Sequence, residues 1–154
     1  MRSFWKLELL AWVFSILFCI LILGPVYIRT GLHYSFYIEN TISILVFLTF
    51  TRLLFLLSFT PYARNKVFKF VFIFLPIPLI MYLVDNLYDF QRFLDEEGTI
   101  AFFKNAFELS DYNFGKFIKY QFLFFTTGAI VTTFLMPVRM IVSFWRIFNT
   151  EDQV

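Results

Sequence analysis

The sequence predicts an all-α integral membrane protein with four transmembrane helices and an outer amphipathic helical loop between spans three and four. Three observations predict it. The chain is 60% hydrophobic and only 16% charged, against roughly 45–50% apolar and 25% charged in soluble domains. Its apolar residues are gathered into runs of about 20, and 20 residues at 1.5 Å rise cross a hydrocarbon core of ~30 Å. The lysines and arginines of PYARNKVFK and of the two chain ends then fall on one side of those runs, the asymmetry that orients membrane helices with their basic loops in the cytoplasm. The 154 residues are expected to form a single four-span membrane domain, without a separate soluble one.

Span one is expected over residues 7–27, after the basic MRSFWK, with Trp5 and Tyr27 as interfacial anchors and Gly24 and Pro25 at a fraying outer end. The run is too long for the apolar region of a signal peptide, and no small-x-small cleavage site follows it. The connection IRTGLHYSFYIEN reads as an interfacial loop with an aromatic belt, in which Asn40 or Thr41 caps the next helix. Span two, residues 41–60, contains the anomaly of the chain, Arg52 within TISILVFLTFTRLLFLLSFT. An ionised side chain at helix centre costs ~2.5–3.5 kcal/mol on insertion scales, so Arg52 needs a counter-charge, water or a headgroup. Glu8, just inside the same boundary of span one, is the acid that geometry selects if the two spans are neighbours; Asp85 lies beyond the far half of the helix.

Arg64, Lys66 and Lys69 follow Pro61 and mark a cytoplasmic connection. A lipid-binding use of that cluster is conceivable at ~1 kcal/mol per cation, but topology alone explains it. Span three, residues 67–84, carries Pro76 and Pro78, which remove backbone donors and crowd the carbonyls of Phe72 and Phe74, so a bend or local unwinding is expected. In DNLYDFQRFLDEEG, the residues Asp85, Asp89, Arg92 and Glu96 share one helical face opposite Leu87, Phe90 and Leu94. This is a candidate docking face of an outer helix, stopped by Gly98. Thr99 is expected to cap a second short helix, TIAFFKNAFEL. Asp95, Glu96 and Glu97 are consecutive and diverge on a helix, so they do not read as a metal site.

Span four, residues 119–138, concentrates small side chains. Gly128 with Thr132, and Ala129 with Thr133, have the small-xxx-small spacing at which another helix approaches closely. After Pro137, residues 138–148 are expected to form a separate interfacial helix, with Arg139, Ser143 and Arg146 opposite Ile141, Phe144, Trp145 and Phe148.

Several classes of chemistry are not indicated. Cys19 and His33 are each the single residue of their kind, so no disulfide, thiol pair or histidine cage is expected, and no metal or cofactor. No GxSxG, HExxH or glycine-rich phosphate loop occurs, and the chain is expected not to be an enzyme. A net charge of +2 on so apolar a chain does not suggest nucleic acid. The 25 phenylalanines read first as apolar filler; a sharper reading makes them rigid faces that dock on lipid or another subunit instead of packing helix on helix through small residues. Two functions remain. One is a non-enzymatic accessory or assembly subunit of a larger membrane complex; the other is a small carrier or channel subunit using Arg52, the Pro76/Pro78 kink and the span-four threonines. The expected partners are the lipid bilayer and a membrane protein or a second copy of the chain. The expected location is a bacterial cytoplasmic (inner) membrane, with both termini in the cytoplasm.

Overall fold

A computed structural model describes residues 2–60, 62, 65–103 and 109–151, apart from the side chains of residues 2–4, 59, 109, 147, 148, 150 and 151. Pro61, Arg64, Lys104 and Phe107 lie outside the described residues, as do the side chains of Arg2 and Phe148. The described residues are almost all helical, with no strand: α1 Arg2–Thr30, α2 Tyr37–Leu56, α3 Lys66–Phe74, α4 Pro76–Glu96 and α5 Leu109–Glu151, joined by short turns, several of them 3-10. Four segments, Trp5–His33, Tyr37–Leu56, Lys66–Glu96 and Ser110–Arg146, are long and apolar enough to cross a membrane.

The long α5 is the axis. One side of it packs on α2, another on α3 and α4, and α1 lies chiefly against α2. Short connections make sequential spans antiparallel, with α3 and α4 together forming the third, so one end of the bundle holds the starts of α1 and α3 with the finishes of α2 and α5. We call it the termini end, and the other the loop end. Polarity is inside out. Asn40, Ser43, Lys69, Gln121, Thr126, Thr132 and Thr133 are buried, while Leu9, Leu17, Leu21, Phe55, Phe124, Val131 and Phe134 are exposed. Water would drive the opposite arrangement, whereas lipid tails leave apolar side chains content outside and make polar ones seek each other.

Helix boundaries depart from the sequence reading in instructive ways. Helix α1 runs through Pro25 to Thr30 instead of fraying at Gly24; a proline removes one donor and one turn's contact, a local loss that flanking bonds and packing can carry. Val26 is fully buried just beyond it, and Thr30 Oγ1 donates to the Val26 carbonyl at 2.8 Å and shares a 2.8 Å bond with the Tyr37 hydroxyl. Tyr37 in turn donates to the Gly31 carbonyl at 2.7 Å. The turn is thereby tied to both helices, and α2 begins at Tyr37, a turn earlier than expected. Asn40 is therefore inside α2 and caps nothing.

The second correction concerns Pro137. Helix α5 is continuous for 43 residues with Pro137 inside it, about 65 Å at 1.5 Å per residue, so no separate interfacial helix starts there. Met136 and Met140, both fully buried, bracket the proline and pack with Phe50, Leu53 and Leu57 of the opposite strip. The prolines of the third span do interrupt the helix. Helix α3 ends at Phe74 and α4 begins at Pro76, where the missing donors of Pro76 and Pro78 fall. Leu75 keeps helical dihedrals at φ −51° and ψ −37° and its amide donates to the Val71 carbonyl at 2.9 Å, so the chain passes from α3 to α4 without leaving the helical path. Helix α3 is capped by Asn65, whose Oδ1 accepts from the Val67 and Phe68 amides at 3.0 and 3.2 Å. Gly98, at φ +75°, ends α4 in a conformation that a side chain would strain. Beyond it Thr99–Phe102 form a 3-10 turn in place of the start of an α-helix.

Phenylalanine packs helix on helix within the chain. At the loop end Phe90 of α4 stacks on Phe122 of α5 at 3.9 Å between centroids, and Phe36 meets Phe90 edge-on at 5.2 Å. Tyr34 and Phe102 join them in a buried cluster with Val26 and Ile118. Offset and edge-on rings gain ~0.5–1.5 kcal/mol each beyond burial, which lets a glycine-poor bundle hold together. Phe55, Phe124 and Phe134 do face outward.

Candidate functional site

The buried polar groups form a spine along the helix contacts, beginning at the termini end with Arg52. Arg52 is on the last turns of α2 and Glu8 on the first turns of α1, so antiparallel packing of the two helices brings them level. Arg52 Nη1 donates to Glu8 Oε2 at 2.9 Å and Nη2 to Oε1 at 2.7 Å, a two-pronged guanidinium–carboxylate contact of the strong kind. Their side chains are 18% and 6% exposed, so the pair is removed from most solvent. The Trp12 indole, one turn after Glu8, donates to Oε1 at 3.0 Å. Tyr62, on the α2–α3 connection, also reaches the carboxylate; burial first, and then the charge of Glu8, push its phenol up. A carboxylate has about four acceptor positions, and donors converge on Glu8 from three elements. These bonds fix the carboxylate in place. Beside the pair lies an open cavity of about 320 Å³, lined by Leu7, Glu8, Ala11, Arg52, Leu56 and Thr60.

Further along, α2 and α5 exchange hydrogen bonds. Asn40 Nδ2 donates to Gln121 Oε1 at 3.0 Å, and Gln121 Nε2 returns to Asn40 Oδ1 at 2.9 Å. Asn40 Nδ2 also donates to the Tyr34 hydroxyl at 3.2 Å. Burial drives the Tyr34 phenol up, so it stays neutral beside the amide. One turn on, Thr126 Oγ1 donates to Ser43 Oγ at 3.1 Å. The sequence reading missed the amide pair and these rungs. Lone Asn and Gln residues in apolar runs were the available signal, since hydrocarbon offers them no partner.

The small residues lie in the same seam. Ala129 and Thr133 are fully buried and Thr132 nearly so. A Cβ on Gly128 would stand 2.8 Å from the Phe47 ring of α2, so only glycine admits that ring. Thr132 Oγ1 donates to the Gly128 and Ala129 carbonyls at 2.9 and 3.1 Å, which satisfies the hydroxyl within its own helix.

The four residues of the candidate docking face, Asp85, Asp89, Arg92 and Glu96, are all exposed on α4. Arg92 lies 3.6 Å from Asp89 with both side chains more than half exposed, and they do not meet the spine. Among the described residues no three His, Cys, Asp or Glu side chains converge as a metal site would require. The comparisons are silent: no family model, curated protein or solved structure matches the chain.

Proposed function

We propose that this chain is a small multi-pass membrane protein that serves as a non-enzymatic accessory or assembly subunit of a larger membrane complex. One observation carries the reading: the groups that a transport route would need are bound to one another. Arg52 is held by Glu8, Asn40 by Gln121, and Thr126 by Ser43, while Thr132 bonds its own backbone. A carrier must offer such groups to a solute and release them, and a pathway needs several at mid-depth. Here they fasten α1 to α2 and α2 to α5. Helix α1 packs chiefly on α2, which leaves most of its apolar surface, including Leu9, Leu10, Leu17 and Leu21, for lipid or for a membrane partner. The exposed face of Asp85, Asp89, Arg92 and Glu96 supplies a polar contact for the same partner outside the bilayer.

The membrane in this reading is a bacterial cytoplasmic membrane with the termini end in the cytoplasm. Lys6, Lys66, Lys69, Arg139 and Arg146 lie toward that end, against Arg29, Arg92, Lys116 and Lys119 toward the other, a modest form of the bias that basic residues impose on orientation. The alternative is a small carrier or channel subunit. It draws on the helix break at Leu75 and on the buried hydroxyls of Thr51 and Thr133, which have no partner among the described residues. Affinity purification in mild detergent separates the two. A membrane protein recovered in fixed ratio supports the accessory subunit; a homo-oligomer that conducts solute in liposomes contradicts it. Reporters active only in the cytoplasm, fused after Lys66 and after Glu97, test the orientation, and activity at Glu97 would reverse it.

A further inference from the structure

One cation of the termini end is buried where the sequence would leave it in water. Lys69 is 1% exposed, and its Nζ donates to Ser143 Oγ at 2.7 Å and to the Ser143 carbonyl at 3.3 Å. An ammonium has three donors and a full charge; these two oxygens accept bonds but carry no counter-charge. Arg139 precedes Ser143 by four residues, one turn away on the same face of α5, beside the residue that holds the Lys69 ammonium. Its Nε is enclosed and without an acceptor. Arg29, Arg52 and Arg92 are each matched to an acid, Asp111, Glu8 and Asp89, whereas among the described residues no carboxylate pairs with Lys69 or Arg139. A buried ammonium with a half-buried guanidinium on the same side is costly unless an anion joins them.

Depth and surroundings say which anion. Lys69 is on the first turns of α3 and Arg139 on the final third of α5, so both lie toward the bundle end, where the headgroups of a spanned bilayer would be. The flanking Phe70, Val71, Val138, Ile141 and Val142 are exposed and suit acyl chains. We propose that Lys69, Arg139 and Ser143 form a site for the phosphate of an anionic phospholipid, held between α3 and α5. The guanidinium of Arg139 grips the phosphate oxygens, the Ser143 hydroxyl is free to donate to them, and Lys69 supplies charge from behind. The site rests on the membrane-spanning part of the proposed function and is independent of the accessory role.

The test is lipid retention by the purified, delipidated full chain in mild detergent, read by native mass spectrometry with phosphatidylglycerol or phosphatidylcholine of identical acyl chains. Wild-type protein should retain phosphatidylglycerol in preference. Lys69→Met and Arg139→Gln should each lower that preference about fivefold, the ~1 kcal/mol that a cation gains beside anionic lipid at tenfold per ~1.4 kcal/mol. Lys6→Gln, at the same end but on the exposed face of α1, should leave it unchanged. Arg139 is only half-buried, so its variant carries the test if Lys69→Met fails to fold. Equal retention of the two lipids by wild type, or an equal loss in Lys6→Gln, would overturn the site, as would stabilisation by inorganic phosphate without any lipid preference. Loss of a co-purifying protein with lipid preference intact would assign the cations to a partner's carboxylate instead. Reporter fusions test the bilayer orientation separately, so the lipid site can fail while that reading stands.

Discussion

Removing Glu8 should destabilise the bundle nearly as much as removing Arg52, and removing both should cost little more than removing either. Two unit charges ~4 Å apart attract by about 4 kcal/mol at an effective dielectric of ~20. Desolvation offsets much of that gain in the intact pair, but a survivor left alone keeps the penalty and loses the attraction, which costs ~3–5 kcal/mol for buried pairs. Side chains 18% and 6% exposed place this pair toward the lower part of that range, so Glu8→Ala and Arg52→Ala should each cost about 3 kcal/mol. The double variant should also cost about 3 to 4 rather than 6, a coupling of ~2–3 kcal/mol. The charge swap, with arginine at 8 and glutamate at 52, should recover part of the loss. The assay is reversible unfolding in mixed micelles, with accumulation in membranes as a second readout. Additive costs, with coupling below ~0.5 kcal/mol, would mean that Arg52 draws its stability from lipid or water, and the pairing argument would fall.

Other predictions follow from the same contacts. Asn40→Leu should cost ~1–2 kcal/mol because it strands Gln121, and adding Gln121→Leu should recover stability; a double variant worse than the single would show that the amides are not each other's main partner. Gly128→Ala should overpack the seam by ~1–3 kcal/mol, with Phe47→Leu relieving it, and no relief would place the clash elsewhere. Arg92→Ala should change stability by no more than ~1 kcal/mol, as an exposed pair allows. Reversing Asp85, Asp89, Arg92 and Glu96 together should instead reduce recovery of a partner, and unchanged recovery would remove that face from the functional account.

What could be read from the sequence was set by demands local to one helix. Arg52 in an apolar run needs a counter-charge, water or a headgroup, and Glu8 is the acid at the matching depth if spans one and two are neighbours; the structure makes them neighbours and places the two side chains in contact. Apolar length marks four helices, and Gly98 marks a stop because few residues accept its backbone. Pairings between distant helices are different. Asn40 and Gln121 lie 81 residues apart, and their meeting depends on the neighbours and register of α2 and α5, which no periodicity encodes. Lys69 carries the same lesson. Its place in a basic cluster suggests a solvated loop charge, but the start of α3 at Lys66 turns it toward Ser143. The prolines divide by context: Pro76 and Pro78 together remove two bonds within one turn and interrupt the helix, while Pro25 and Pro137 each remove one and leave it continuous.

The central claim is that the polar seam between α2 and α5 is a dry fastening and not a route for solute. Thr133 is fully buried in that seam, and Cys19 is the chain's only cysteine, so a Cys19→Ala background carrying Thr133→Cys reports on water there. In intact membranes a membrane-impermeant maleimide should leave this thiol unlabelled from either face, while Glu96→Cys in the same background reacts fully and denaturation exposes Thr133→Cys to the reagent. Labelling of Thr133→Cys in the folded, membrane-embedded protein would put water in the seam and contradict the account.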